Sequence, residues 1–192
     1  ILKANLSARK AIDIAGPKGW DYAAEPTGRL DLEKGNSSVG YGVFRVQPLV
    51  EARVRFTLDI WELDNANRGA RDIDLGNLEE AALKIAQFEE NAVYNGLKQA
   101  GISGMKAGAE HKPMKFGGDP KGLVQLVTDA ITEFEKIGIE GPYHLLASPA
   151  MRALTGSHVP GIPLKQQVEN LLGGEIILGP FLKDSYIVSS RG

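Results

Sequence analysis

The sequence predicts a fold of the α+β class, and three observations predict it. Residues 28–41 are polar, rich in glycine and flanked by alternating segments, which is typical of a long exposed hairpin. Residues 50–60 alternate between apolar and polar side chains, as in a strand with one buried face. Residues 78–99 keep apolar side chains at helical spacing, over about 33 Å at a rise of about 1.5 Å per residue.

The first half of the chain therefore reads as a loop, an arm, a strand and a long helix. The segment GPKGWDYAAEPTG, residues 16–28, is punctuated by Gly and Pro and predicts the loop. The strand runs into FTLDIWELDN, residues 56–65, which is either the rim of an active site or a structural joint. At a joint, the side chains of Asp64 and Asn65 would bond nearby backbone groups. Asn77 and Glu80 have the spacing of a capping box at the start of the helix.

The second half predicts a compact arrangement of helices and short strands. Asp119 and Pro120 are typical of the N-cap and first residue of a helix, which we expect to end near Gly138. Shorter elements follow, namely strands over 143–147, 175–178 and 185–188 and a helix over 164–172.

Composition excludes several classes of protein. The 192 residues are 43% hydrophobic, which is enough for a core in one domain or in two closely packed ones. The net charge of −2 and the scattered lysines and arginines argue against a nucleic-acid partner. No apolar run approaches the roughly 20 residues of a membrane span, so we expect a soluble cytoplasmic protein. The absence of cysteine excludes disulfides and thiolate metal sites.

No catalytic or metal-binding pattern emerges, so we predict that the protein is not an enzyme. The three histidines, His111, His144 and His158, lie in no HxxxH or ExxH pattern. The glutamates Glu79, Glu80, Glu89 and Glu90 on the long helix lack the Glu-x-x-His pair of a carboxylate metal site, and we expect a solvated face. GGDPKG, residues 117–122, lacks phosphate-loop spacing and is better read as a turn and cap.

Five segments of the sequence are informative when taken together, namely GPKGWDYAAEPTG, VQPLVEARVRFTLDIWELDNANRGARDIDL, FEENAVYNGLKQAGISGM, IEGPYHLLASP and IVSSRG. They closely resemble the encapsulin shell proteins, a family also described as linocin-type bacteriocins. The resemblance spans essentially the whole chain. It implies the fold of the HK97 phage capsid, and the order of arm, long helix and compact end agrees with that fold.

The resemblance also implies a division of the chain. Residues 1–26 would be the end of an N-terminal helix and its aromatic loop, 27–47 the E-loop, 48–116 the P-domain and 117–192 the A-domain. Family chains extend further at both ends, so we expect a longer first helix and a final P-domain segment that are absent from this sequence. The opening residue, Ile1, is consistent with a start downstream of an initiating methionine.

The function implied is a structural one. Encapsulins assemble into icosahedral cytoplasmic nanocompartments that enclose cargo enzymes, such as ferritin-like proteins or dye-decolorising peroxidases, and sieve molecules through pores. The cargo docks through a C-terminal targeting peptide on a luminal surface, for which the candidates here are Leu6, Arg9 and Ile12. The loop TGSHVPGIP matches the fivefold pore, so the expected pore lining is Ser157, His158, Val159, Pro160, Gly161 and Ile162.

The arm and one tryptophan complete the expected sites. Val43, Phe44, Arg45 and Val46 would contact the neighbouring subunit, because a two-stranded arm has no core of its own. Trp61 is either a packed interface anchor or a stacking platform for a flavin, although no cofactor is required. Two alternative functions stay open at this point, a prophage major capsid protein packaging DNA and a flavin-binding shell with a redox role.

Overall fold

The computed structural model describes residues 6–33, 39–109, 111–156 and 161–191. Its first large element is the predicted arm, an antiparallel pair of strands, β1 (Ala24–Glu33) and β2 (Tyr41–Pro48). The ladder runs from Ala24 opposite Pro48 to Glu33 opposite Tyr41, with an irregularity between Pro26 and Arg29. The hairpin prediction is confirmed, and pairing begins three residues before the expected start of the E-loop at residue 27.

The predicted strand over residues 50–60 is wrong. Residues 49–59 have no assigned strand pairing within the described chain, and Val50 and Phe56 are more than two-fifths exposed. The alternation does predict extended backbone, but a strand also needs a neighbour for its backbone groups, which the pattern cannot supply. Helix α1 (Ala8–Ala11) precedes the arm, and α2 (Ile60–Asn67) follows this extended segment.

The stretch FTLDIWELDN therefore contains the start of a helix. The Asp59 carboxylate accepts a hydrogen bond from the backbone N–H of Trp61 at 2.9 Å, which caps α2. Asn65 lies inside the helix, where its side chain bonds Glu62 and Arg68 rather than nearby backbone. The expectation that Asx side chains satisfy backbone groups at a turn here is thus wrong for Asn65, and Asp59 has the capping role.

The long helix, α3 (Gly76–Asn95), is confirmed, but its predicted capping box is wrong. The Asp74 carboxylate accepts from the Gly76 N–H at 2.9 Å, whereas Asn77 donates its side-chain amide to the Thr57 carbonyl at 2.9 Å. Glu80 instead pairs with Lys84 one turn along. The helix ends four residues earlier than predicted.

Two glycines explain where α3 ends. Gly96 has a φ of 83°, and a Cβ there would lie 2.6 Å from the Ile102 carbonyl oxygen. A Cβ on Gly104 would lie 2.3 Å from the Gly96 nitrogen. Between them the chain makes a short turn through strand β3 (Gly96–Leu97), a 3₁₀ turn (Lys98–Ala100) and strand β4 (Ile102–Ser103), followed by helix α4 (Met105–Gly108).

The compact second half follows the predictions closely. Helix α5 (Pro120–Lys136) and helix α7 (Leu164–Leu172) flank a shorter, unpredicted helix, α6 (Pro149–Thr155). The three strands β5 (Tyr143–Ala147), β6 (Ile176–Leu178) and β7 (Tyr186–Ser189) form one sheet in the order β6-β5-β7. Strand β5 is parallel to β6 and antiparallel to β7.

The sheet is buried on both faces. One face packs against α5 and α7 in a cluster of apolar side chains that comprises Leu123, Val127, Tyr143, Leu145, Ala147, Leu164, Val168, Leu172 and Ile176. The other face packs against α1 and α3, through Ala8, Tyr94, Leu146, Ile177 and Leu182. Successive residues of β5 thus belong to different cores, and the sheet joins the N-terminal segment and α3 to the second half.

The N-cap of α5 provides a test of the local fold. Asp119 accepts a hydrogen bond from the Gly122 N–H at 2.8 Å, as the sequence predicts. We expect Asp119→Ala to lower the free energy of unfolding by about 0.5–2 kcal/mol in urea titrations, because one orphan N–H loses its acceptor. The control is Asp129→Ala on the exposed face of the same helix, where a change as large as that at Asp119 would contradict the capping role.

Candidate assembly surfaces

The arm presents an apolar face to solvent. Because side chains alternate along paired strands, Leu30 and Phe44 face each other and share a side with Leu32 and Val46. Leu32 is 78% exposed and Phe44 is 71% exposed. A Cβ on Gly42 would come within 3.1 Å of Cδ2 of both leucines, so this glycine leaves room for them. An exposed apolar face of this kind is typical of an interaction surface.

Polar contacts on the opposite side of the arm stabilise its conformation. The guanidinium of Arg45 bonds the Asp31 carboxylate at 2.5 Å, and this hydrogen bond raises the pKa of Arg45. Thr27 donates its hydroxyl to the Arg45 carbonyl at 2.8 Å, and Gln47 donates its amide to the Ala100 carbonyl at 2.9 Å. The acid that Arg45 pairs with in the single chain therefore belongs to its own arm.

A buried carboxylate attaches the N-terminal segment to α3. Glu90, only 1% exposed, accepts hydrogen bonds from the Ser7 hydroxyl at 2.8 Å and from the Ala8 N–H at 2.9 Å. The hydroxyls of Ser7 and Tyr94 also bond each other, at 2.8 Å. The prediction of a solvated face is therefore wrong for Glu90. The sequence of α3 does not show which of its glutamate side chains is buried.

Tyr94 is the other buried polar member of this cluster. Its ring stacks on Tyr186 with centroids 5.3 Å apart. Burial raises the pKa of Tyr94 to about 12, against the smaller opposing effect of its hydrogen bond with Ser7. The phenol is therefore neutral over the physiological range.

The three predicted cargo-binding residues are not equally accessible. Leu6 is fully buried. The Arg9 guanidinium bonds Glu89 at 2.5 Å on the surface, and this bond raises the pKa of Arg9. Ile12 is 41% exposed. Arg9 and Ile12 are therefore accessible at the surface, Arg9 beside α3, whereas Leu6 is not.

The predicted pore loop is described only at its end. Ser157, His158, Val159 and Pro160 lie outside the described residues. Gly161 has a φ of 101°, and Ile162 is 56% exposed, with its carbonyl accepting from the Gln167 amide at 2.6 Å. Gln167 thus ties the end of this loop to α7.

The remaining candidate residues are Trp61 and His144. Trp61 is 67% exposed on α2. His144 accepts a hydrogen bond from the Glu175 N–H at its Nδ1, at 3.0 Å, as expected of a satisfied strand histidine. Within the described ranges no cluster of three His, Asp or Glu side chains could hold a metal ion. No helix in that part of the chain is long and apolar enough to cross a membrane.

Comparison with known proteins decides the family. The family described as encapsulating protein for peroxidase matches residues 1–192, the full length of the chain. The type 1 encapsulin shell protein of Mycolicibacterium paratuberculosis is 33% identical over 99% of this chain and 72% of its own length. The chain belongs to the encapsulin shell-protein family.

Further relatives agree with this assignment. The type 1 encapsulin shell protein of Rhodospirillum rubrum is 35% identical over 100% of the chain and 71% of its own length. A diheme-cytochrome-encapsulin shell fusion protein of Kuenenia stuttgartiensis is 26% identical over 78% of the chain and 44% of its own length. The resemblance found in the sequence is thus confirmed.

Family membership makes this chain a shell-forming nanocompartment protein and bears on the alternatives. The relatives are structural shell proteins rather than enzymes, and shell proteins need no cofactor. Neither a DNA-packaging capsid nor a flavin shell is favoured, and nothing in the comparisons supports flavin. The mixed helices and strands fit the α+β shell of the family.

The attachment of the N-terminal segment can be tested with neighbouring glutamates. We expect Glu90→Gln to reduce the free energy of unfolding by about 1.5–3 kcal/mol, because the amide is uncharged and replaces one of the two accepting oxygens by a donor, which weakens the hydrogen bonds from Ser7 and Ala8. Glu89→Gln removes only a surface pair and should cost about 0–1 kcal/mol. Urea unfolding and hydrogen exchange at residues 6–11 measure both, and equal effects would show that Glu90 does not hold the segment.

Tyr94 predicts a specific alkaline instability. Its pKa in the folded state, about 12, exceeds the ordinary value of 10.0, so the folded protein holds this proton more tightly than the unfolded chain. The contribution of the Tyr94 phenol to the free energy of unfolding is fully present below pH 10 and is lost as the pH rises toward 12. The stability difference between the unmodified protein and Tyr94→Phe should therefore shrink over that range in unfolding titrations. A difference independent of pH would contradict the assignment.

Proposed function

We propose that the encapsulin chain assembles through its arm into an icosahedral compartment with the HK97-like fold, in the cytoplasm, around cargo enzymes. The observation that supports this most directly is the exposed apolar face formed by Leu30, Leu32, Phe44 and Val46. Its role is assembly and sieving, not catalysis. The proposed division into aromatic loop (1–26), E-loop (27–47), P-domain (48–116) and A-domain (117–192) follows the family.

The physical argument begins with the instability of an isolated hairpin. Two strands without a core are marginal in water, and this arm has few contacts with the body beyond the Gln47 bond at its base. A second copy of the chain that covered the apolar face would remove it from water and stabilise both arms. Repetition of one such head-to-tail contact around symmetry axes closes a shell.

Cargo would be held on the surface beside the N-terminal segment. Arg9 and Ile12 are accessible there, and Leu6, which is buried, is the third residue of the proposed site. We propose that they contact the C-terminal targeting peptide of a cargo enzyme such as a dye-decolorising peroxidase or a ferritin-like protein. The family description, which names a peroxidase, supports the first of these.

Passage through the shell would use the loop that contains residues 157–162. Ser157, His158, Val159, Pro160, Gly161 and Ile162 are the proposed lining. Copies of His158 around an axis would change the charge of the ring between about pH 5 and 8, with like charges lowering the pKa of each histidine.

The decisive experiment is electron microscopy of the purified native full-length protein, with mass spectrometry of what co-purifies. Closed uniform particles that carry a stoichiometric enzyme are the expected result. Small oligomers alone would contradict the proposal. Closed particles without cargo would contradict enclosure but not assembly.

The arm itself is tested by two matched substitutions in β2. Val46→Glu places a charge on the apolar face, and Val43→Glu places the same charge on the opposite face. We expect Val46→Glu to prevent shell formation in size-exclusion chromatography and Val43→Glu to weaken it less, because a charge buried at a contact is costly. Normal shells from both variants would exclude the arm as the assembly contact. An equal loss of shell formation in both variants would contradict the proposal that the apolar face, and not the opposite face, makes the contact.

A further inference from the structure

A large cavity lies in the second half of the chain, away from the arm. It is partly open to solvent, has a volume of about 930 Å³, and is bordered by α5, α6, residues between 111 and 118, and the chain leading into β7. Most of its lining is hydrocarbon, contributed by Met114, Leu123, Leu126, Val127, Met151 and Leu154. Its size and apolar character fall within the range typical of small-molecule sites.

Two serine hydroxyls add a hydrogen-bond donor to this apolar wall. Ser148 is buried, and its hydroxyl and that of Ser185 are 3.2 Å apart. The Ser148 N–H bonds the Ser185 oxygen, and the Met151 N–H bonds the Ser148 oxygen. The hydrogen bond between the two hydroxyls uses only one of their two protons. The other proton has no acceptor among the described residues and can bond a ligand.

A histidine supplies a second polar group. His111 lines the cavity and an adjoining pocket of about 170 Å³, and its ring meets Phe134 edge-on at 5.6 Å. Its Nε2 is buried and has no hydrogen-bond partner within the described part of the chain. A buried polar atom without a partner is rare enough to need an explanation, and a ligand at the cavity would provide one.

The charges at the cavity favour an anion. Lys106 and Lys183 both line it, and Lys106 pairs with Asp184 at 2.8 Å. Lys183 is exposed and makes no ion pair with the described residues. Within the described ranges, the charge of Lys183 is therefore not compensated by an ion pair beside the hydrocarbon lining.

We propose that this cavity binds a small amphiphile with an aliphatic chain and a carboxylate head. The chain occupies the apolar lining, while the carboxylate accepts from the spare serine proton or from His111 and lies near Lys183. The inference goes beyond shell assembly, because none of these residues belongs to the arm, the N-terminal segment or the pore loop.

The test uses the full-length protein in its native assembly state and decanoate as the probe, with decanol as the neutral comparison. Isothermal titration should show about one decanoate per chain. Lys183→Gln should weaken decanoate binding several-fold and leave decanol binding unchanged, because only the carboxylate gains from the charge. No decanoate binding by the unmodified protein, including the case in which another part of the full chain fills the cavity, would overturn the proposal.

Two substitutions on α6 locate the bound molecule. Ala150 lines the cavity, whereas Ala153, one turn further along α6, is exposed and lies outside the lining. Ala150→Phe should fill the space and weaken decanoate binding by about tenfold or more, and Ala153→Phe should leave it unchanged. Thermal unfolding confirms that each variant is folded. Equal binding by both variants and the unmodified protein would overturn the assignment to this cavity, as would an equal loss in both.

Discussion

The arrangement of this chain depends on a sheet that is buried on both sides. Strand β5 sends Tyr143, Leu145 and Ala147 into the core with α5 and α7, and it sends Leu146 into the core with α1 and α3. A central strand that serves two cores fixes both layers relative to one another, because each side chain occupies one register. The N-terminal segment packs on this sheet through Ala8, and the arm is bonded to the body at its base through Gln47.

The N-terminal segment and the arm differ in where they place charged and apolar side chains. The N-terminal segment is attached by one buried carboxylate, Glu90, whose desolvation is offset by hydrogen bonds from Ser7 and Ala8. The arm instead carries its ion pair, Arg45 with Asp31, on the face that also exposes Val43, and it exposes Leu32 and Phe44 on the other face. The first device stabilises the single chain. The second leaves apolar side chains of the arm exposed in the single chain.

The sequence predicts local elements well and their partners poorly. The predictions that depend on residues close together in the sequence are confirmed. They are helix α5 with its Asp119 cap, strand β5 and helix α7. The prediction of a strand over residues 50–60 is wrong because alternation does not reveal whether a pairing strand exists. Glu90 was predicted on the surface because its burial depends on Ser7, 83 residues away. The family motifs identified the shell, whereas the cavity beneath α6 follows from packing that no motif encodes.

The close approach of Gly96 and Gly104 has a consequence for how this protein can change over time. Backbone touches backbone there, so a methyl group at either position would separate the end of α3 from the turn that follows it. No compensating side-chain exchange elsewhere could recover that space, unlike a gap in the apolar core. A side chain at Gly96 or Gly104 would therefore require the backbone itself to move, so we expect both positions to tolerate substitution less well than the exposed loops of the same chain.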